Sequence, residues 1–188
     1  VLIKGLEYFP DWLTGSRASD LYQRLYSEVP WQQGRVKVFG KWHDIPRLQS
    51  WHGDADALYR YSGKTLEPLP WTPTLSYLKR RLSEAGISCN SVLCNLYRDG
   101  KDRMGWHRDN ESELGDNPII ASVSLAAQRD FKLRHVITKE TLNLSLLPGS
   151  LLILKGEAQR YWEHSLPARL KVTEPRINLT FRTVYNKV

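Results

Sequence analysis

Only two cysteines, Cys89 and Cys94, occur in the 188 residues, too few for a disulfide framework and lacking the paired spacings of a zinc ribbon. They fit a reducing, intracellular compartment. No apolar run reaches the 18 residues that would suggest a membrane-spanning helix, and no signal-peptide pattern is present, so no membrane association is expected. Because the chain begins at Val1 rather than Met, a targeting segment is neither inferred nor excluded. The sequence also lacks a repeat of fixed period and any tract both rich in Pro, Gly or Ser and poor in hydrophobic residues, which argues against an array or a disordered chain.

What is present is an ordinary hydrophobic fraction with abundant aromatics, including seven Trp and nine Tyr. That length and composition suit one domain, residues 1–188, with a core that needs no covalent staples. The formal charge of +7 favours a polyanionic partner, because each Lys or Arg that neutralises a phosphate releases counterions. Acids nevertheless cluster at residues 109–116, so they need a reason of their own.

The stretch "SRASDLYQRLYSEVPW" puts Leu21, Tyr22, Leu25, Tyr26 and Val29 on one helical face, with Ser16 or Ser19 as the cap and Pro30 as the stop. A second helix is predicted after Thr72 as N-cap, with Pro73 at its first position, Leu75, Leu78 and Leu82 on its buried face, and Gly86 at its end. Between them, "RVKVFGKWHDIPRLQSWHGDADALYRYSGK" reads as hairpins. From residue 91 onward the runs "SVLCNLY", "IIASVSLAA", "FKLRH", "LNLSL", "GSLLILKG" and "RINLTFRTV" read as strands. Two N-terminal helices followed by many strands imply an α+β chain, mainly β, built as a sandwich or jelly roll.

His107 and Asp109 lie two apart, so in an extended segment both side chains leave one face and could share a cation. His-x-Asp alone reads more readily as a polar turn, and His52-Gly53-Asp54 repeats the pattern. A third ligand alters the balance: His164 follows the strand-like "GSLLILKG" and would complete two histidines and a carboxylate, a facial set suited to non-haem Fe(II). In "PRINLTFRTV", Arg176, Asn178, Thr180 and Arg182 fall on one strand face, with Ile177, Leu179 and Phe181 on the other. Two arginines facing inward call for an anion, and a dicarboxylate would serve. In "NLY", Asn95 and Tyr97 share a face and could hydrogen-bond the same acid. An exposed strand with solvated arginines is the plainer alternative for any one of these segments taken singly.

Taken in order, "NLYRDGKDRMGWHRDNE", "IIASVSLAAQRDF", "LLPGSLLIL", "HSLP" and "PRINLTFR" resemble the AlkB family of Fe(II)- and 2-oxoglutarate-dependent dioxygenases over residues 90–184. "VFGKWHDIPR", "YRYSG" and "PWTP" extend the resemblance back to about residue 36, toward the family's duplex-DNA dealkylation repair member. The resemblance implies a double-stranded β-helix core at about residues 91–185, with N-terminal helices and a nucleotide-recognition hairpin region in about residues 1–90. It implies that His107, Asp109 and His164 hold iron. 2-Oxoglutarate, used with O2 as cosubstrate, would lie near Arg182 at its keto-acid end. Arg176 would meet its far carboxylate, and Asn95, Tyr97, Asn178 and Thr180 would complete the pocket. His52-Gly53-Asp54 falls outside the match and is expected to be a turn.

The implied reaction is oxidative demethylation of 1-methyladenine and 3-methylcytosine in DNA, releasing formaldehyde, succinate and carbon dioxide. A base in a duplex must leave the stack to be reached. The resemblance assigns Phe39, beside Gly40 and between Lys37 and Lys41, to filling the gap. It assigns Arg47 to a DNA contact, and Tyr59, Arg60 and Tyr61 in "YRY" to the base-contacting region, with Tyr61 stacking on the base opposite His107. Glu111 would face the cationic lesion, with Asn110 beside it where the duplex-repair relative has an acid. Leu96 replaces an arginine, and Glu163 stands beside His164 where an aromatic is usual; an effect of Glu163 on access or on metal electrostatics is expected. A monomer acting on DNA inside the cell follows, at the nucleoid in a bacterium or in the nucleus of a eukaryote. The alternatives are the same chemistry directed at RNA or protein, or a lesion-binding module without turnover.

Overall fold

Apolar spacing alone locates both major helices. α1 spans Gly15–Glu28 and buries Ala18, Leu21 and Leu25. Its cap is Thr14 rather than Ser16 or Ser19: Thr14 is extended, and its hydroxyl accepts the Arg17 N–H at 3.3 Å. Ser16 already lies inside the first turn. α2 spans Pro73–Glu84, with the Thr72 hydroxyl accepting the Leu75 N–H at 3.2 Å and Pro73 opening the helix, where its missing N–H costs nothing.

The computed structural model describes residues 2–61 and 64–185. Its strands are β1 (Leu6–Phe9), β2 (Gln32–Val38), β3 (Lys41–Gly53), β4 (Tyr59–Tyr61), β5 (Lys64–Leu66), β6 (Ser91–Tyr97), β7 (Met104–His107), β8 (Ile120–Ala126), β9 (Arg129–His135), β10 (Thr141–Leu146), β11 (Leu151–Leu154), β12 (Trp162–Leu166) and β13 (Arg176–Arg182), and a short α3 (Glu157–Tyr161) precedes β12. Seven of them form one sheet in the order β1-β11-β8-β13-β6-β3-β2, four form a second in the order β10-β9-β12-β7, and β4 pairs with β5. Every strand pairing recorded is antiparallel. This is a jelly roll, mainly β, with helices against one side. Among the described residues no helix is long and apolar enough to cross a membrane.

The seven-stranded sheet is covered on both faces, and the alternation of residues along each strand divides them. Val92, Cys94 and Leu96 of β6, Ala121, Val123 and Leu125 of β8, and Ile177, Leu179 and Phe181 of β13 pack with Leu21, Leu25, Leu75, Leu78 and Leu82 of the helices. Each such fully buried Leu contributes about 1.5–3 kcal/mol relative to exposure. On the opposite face Leu93, Ile120, Leu152 and Leu154 meet Phe131, Leu133, Leu146 and Leu166 of the smaller sheet. The polar members of the same strands are thereby confined between the two sheets.

Several expectations are corrected by this architecture. β1 precedes the helices and forms an edge of the large sheet. β7 and β12, which carry the two histidines of interest, are four and five residues long, too short to have announced themselves. His52 and Gly53 are not a turn: they end β3, with buried His52 bonded to Ser50 Oγ at 2.9 Å and to the Pro70 carbonyl at 2.8 Å. Only Asp54 lies beyond the strand, where it accepts from Trp71 Nε1 and Lys79 Nζ. At the β2–β3 tip, Phe39 and Gly40 have φ of 46° and 80°. Two positive φ angles in a two-residue turn match the twist of the flanking strands, but the first is costly for a bulky residue.

The loops at one end are clamped together. Arg129, buried at the start of β9, donates to the carbonyls of Asp99, Asp102 and Pro167, and Gly100 exchanges backbone bonds with Arg169 and Val172. A Cβ on Gly100 would sit 1.7 Å from the Arg169 carbonyl oxygen. Gly100→Ala is therefore expected to lose about 1–3 kcal/mol of stability by urea denaturation. Gly15→Ala, at a helical position with nothing within 4 Å of the added carbon, should be neutral or stabilising.

Candidate active site

Between the sheets, β13 turns Arg176, Asn178, Thr180 and Arg182 inward, and its register with β6 sets Arg176 opposite Tyr97 and Asn178 opposite Asn95. These side chains line a cavity of about 280 Å³ together with His107, Asp109, His164, Glu111, Tyr59 and Arg47. The neighbouring strand β8 contributes Ser122 and Ser124, whose hydroxyls accept from Asn178 Nδ2 at 2.8 Å and Arg176 Nη2 at 2.9 Å. Those serines were not singled out in the sequence, although their alternation within "ASVSL" was the available signal. Thr180 Oγ1 donates to the Leu93 carbonyl at 3.2 Å.

Asn95 is oriented by its partners. Its Oδ1 accepts from both Arg47 Nε and Gln49 Nε2, each at 3.1 Å. With the oxygen so occupied, the Nδ2 amide group remains as the donor for a ligand. Arg47, which the resemblance assigns to a DNA contact, is buried in the cavity wall, with a further bond from Nη1 to the Arg103 carbonyl.

His107 ends β7 and His164 lies in β12, directly opposite it in register. With Asp109 they offer three ligand atoms within 4.8 Å of one another. His107 Nδ1 donates to the Gly105 carbonyl at 2.8 Å, which leaves Nε2 with a free lone pair. His164 Nε2 stands 3.5 Å from Asp109 Oδ2, and this is not an ion pair, since burial, with His107 adding to it, pushes the His164 pKa down to about 4. Burial opposes the charge on Asp109 too, but the Arg182 guanidinium outweighs it and holds the carboxyl below its usual range. Two imidazoles and one carboxylate, with His164 and Asp109 buried and His107 half-buried, form a donor set that fits Fe(II).

Arg182 Nη1 reaches Tyr59 Oη at 3.1 Å and Asp109 Oδ1 at 3.5 Å. Arg176 is different: it is 2% exposed, its Nε has no hydrogen-bond partner, and its cation faces the Tyr97 ring at 5.3 Å. Among the described residues no carboxylate is ion-paired with it, and burial pulls its pKa down to about 10. Glu111 also presents a buried carboxylate oxygen, Oε2, without a partner.

Other residues singled out in the sequence fall elsewhere. Phe39 is 101% exposed at the hairpin tip, with Gly40 and Lys41 beside it on the surface. Asn110 is exposed and lines a neighbouring depression with Arg108 and Arg160. Arg60 is largely exposed, 3.9 Å from Glu113. Tyr59 is buried and stacked on Trp51, with centroids 4.8 Å apart. The Tyr61 side chain lies outside the described residues. Glu163, adjacent to His164 on an alternating strand, does not line the cavity: it pairs with Arg134 at 2.6 Å.

Residues 5–182 match the profile of the 2OG-Fe(II) oxygenase superfamily, and the chain belongs to it. Within it the chain stands with the AlkB family. It is 44% identical over 181 residues to "DNA oxidative demethylase ALKBH2" of Homo sapiens, covering 90% of this chain and 69% of that one. It is 44% identical to the protein of that name from Bos taurus, of which it spans 65%. It is 40% identical over 188 residues to "Alpha-ketoglutarate-dependent dioxygenase alkB homolog 3" of Homo sapiens, covering 94% of this chain and 65% of that one. The solved structure of OsALKBH1 superposes with a TM-score of 0.67 at 18% identity, over 97% of this chain and 99% of that one, which is a likeness of fold.

A buried cation that is ion-paired with no carboxylate among the described residues is a stability cost. Arg176→Met, made with Ser124→Ala so that no hydroxyl is stranded, is expected to stabilise the ligand-free protein by about 1–4 kcal/mol. Urea denaturation measures this, and destabilisation would reveal a counter-charge for Arg176.

Proposed function

We propose that the chain is an Fe(II)- and 2-oxoglutarate-dependent oxidative demethylase of N-alkylated bases in DNA, with 1-methyladenine and 3-methylcytosine as lesions and duplex DNA as a substrate. The observation that carries this reading is one cavity holding three kinds of group: a triad able to ligate a metal, a buried arginine and a buried carboxylate oxygen of Glu111, the last two without a partner of opposite charge or a hydrogen-bond donor, respectively, among the described residues. The names of the relatives support DNA as the substrate.

His107, Asp109 and His164 would hold iron. Bound there, Fe(II) would supply oxidation of the N-methyl carbon by O2, coupled to conversion of 2-oxoglutarate to succinate and carbon dioxide. Arg176 would take the far carboxylate of the cosubstrate in a charge-assisted hydrogen bond, and Tyr97, Asn178 and Thr180 would enclose its chain. Arg182, already beside Asp109, would orient that ligand and lie near the keto-acid end. The Asn95 amide, fixed by Arg47 and Gln49, would donate to the same molecule. Glu111 would favour a methylated base because methylation at these ring nitrogens leaves a positive charge. The oxidised methyl group then leaves as formaldehyde and restores the base.

Phe39 would enter the gap left by the flipped base, with Lys37 and Lys41 on the phosphates. Its exposure and its positive φ are costs without return in the free protein. Tyr59, Arg60, Tyr61 and Asn110 would border the base. One domain acting as a monomer on intracellular DNA completes the proposal.

Lesion-dependent succinate, with formaldehyde in equal amount, is expected on a duplex bearing one 1-methyladenine and not on the same duplex unmethylated. Phe39→Ala should lower duplex turnover by about tenfold, as loss of about 1.4 kcal/mol from the flipped state would, and single-strand turnover much less. Equal losses on both substrates would contradict the wedge role.

A further inference from the structure

Trp106 is unexplained by the chemistry above. It immediately precedes His107, lies in β7 at the edge of the smaller sheet, and is among the residues bordering the cavity, while its 38% exposed indole rests on Arg134, a residue of the sheet face turned away from the cavity. Its indole is not loose. The Arg134 guanidinium lies over the ring, with Cζ 4.2 Å from the centroid, and is itself held by Glu163 through Nε at 2.7 Å and Nη2 at 2.6 Å. Arg134 and Glu163 are direct register partners between β9 and β12. Three strands thus cooperate to fix one solvent-facing aromatic, with a cation against one of its faces.

An indole held in this way loses little freedom when a flat ligand stacks on it, so it binds such a ligand more tightly than a mobile one would. Arg108, which lines the same cavity and whose Nη1 donates to the Arg160 carbonyl at 2.8 Å, and Arg160, in the neighbouring depression, supply cations nearby, where a nucleotide's phosphate would be met. We propose that Trp106 is a stacking platform for an unpaired base adjacent to the one in the cavity, and that it thereby promotes action on single-stranded substrate. This rests on the nucleic-acid reading above. In a duplex the neighbouring base stays paired and stacked, and moving it out costs a few kcal/mol. In a single strand it is free to swing onto the indole. Phe39 sits on the β2–β3 hairpin of the other sheet, so the two aromatics address different strand states.

The test compares wild type, Trp106→Ala, Trp106→Phe and Arg134→Ala on a labelled single-stranded pentamer and on a duplex, each with one central 1-methyladenine. Trp106→Ala should weaken pentamer binding about tenfold, as expected for losing one aromatic–base stack, and raise KM more than it lowers kcat. Duplex binding should change less than twofold. Trp106→Phe should recover most of the pentamer affinity, and Arg134→Ala, which leaves the indole unsupported, should lose part of it. Indole fluorescence should be quenched by the pentamer in wild type and less so in Trp106→Phe. Unchanged pentamer affinity in Trp106→Ala, with wild type binding well, would overturn this inference alone, and so would equal losses on pentamer and duplex. Failure of the wild type to bind or turn over either nucleic acid would overturn the demethylase reading and this inference with it.

Discussion

A guanidinium sealed between two β-sheets, with no carboxylate ion-paired to it among the described residues, is the constraint on which the rest of this structure depends. Arg176 donates to the Ser124 hydroxyl and faces the Tyr97 ring, contacts that hold the side chain in place but leave its charge unmatched. The amides around it are fixed by their neighbours: Asn95 has its oxygen occupied and its amide hydrogens left over, while Asn178 is oriented by Ser122. The metal triad carries its charge differently. Asp109 is matched by Arg182, and the buried His164 imidazole is left to supply a lone pair rather than a cation.

The large sheet makes this arrangement possible because period-2 alternation gives each strand two unlike faces. Leu179 between Asn178 and Thr180 is the clearest case: the leucine belongs to the helix-packed core, and its neighbours belong to the cavity. For the same reason much of the placement was legible in the sequence. The row in "PRINLTFR", the pair in "NLY" and the two residues of His-x-Asp need only local geometry. The helices were legible through their apolar spacing, apart from the cap, where Gly15 hides a start that Thr14 makes.

What escaped the sequence depends on partners distant along the chain. Nothing local marks Arg47 as buried, because its place is set by Asn95 and the Arg103 carbonyl. Ser122 and Ser124 gain meaning only beside β13. Glu163 was read through its neighbour His164, yet alternation turns it away from the cavity, and strand register delivers it to Arg134 and through that residue to Trp106. β12 itself is five residues long and follows a five-residue helix, too little pattern to identify either.

The most direct test of this account is equilibrium binding of 2-oxoglutarate without oxygen, by calorimetry, to protein loaded with Mn(II) as a redox-silent stand-in for Fe(II). One molecule per chain is predicted, bound much more tightly with metal than without, and lost in Arg176→Met. Binding that ignores the metal, or that survives loss of the Arg176 guanidinium, would contradict the claim that the unmatched cation and the triad serve one ligand.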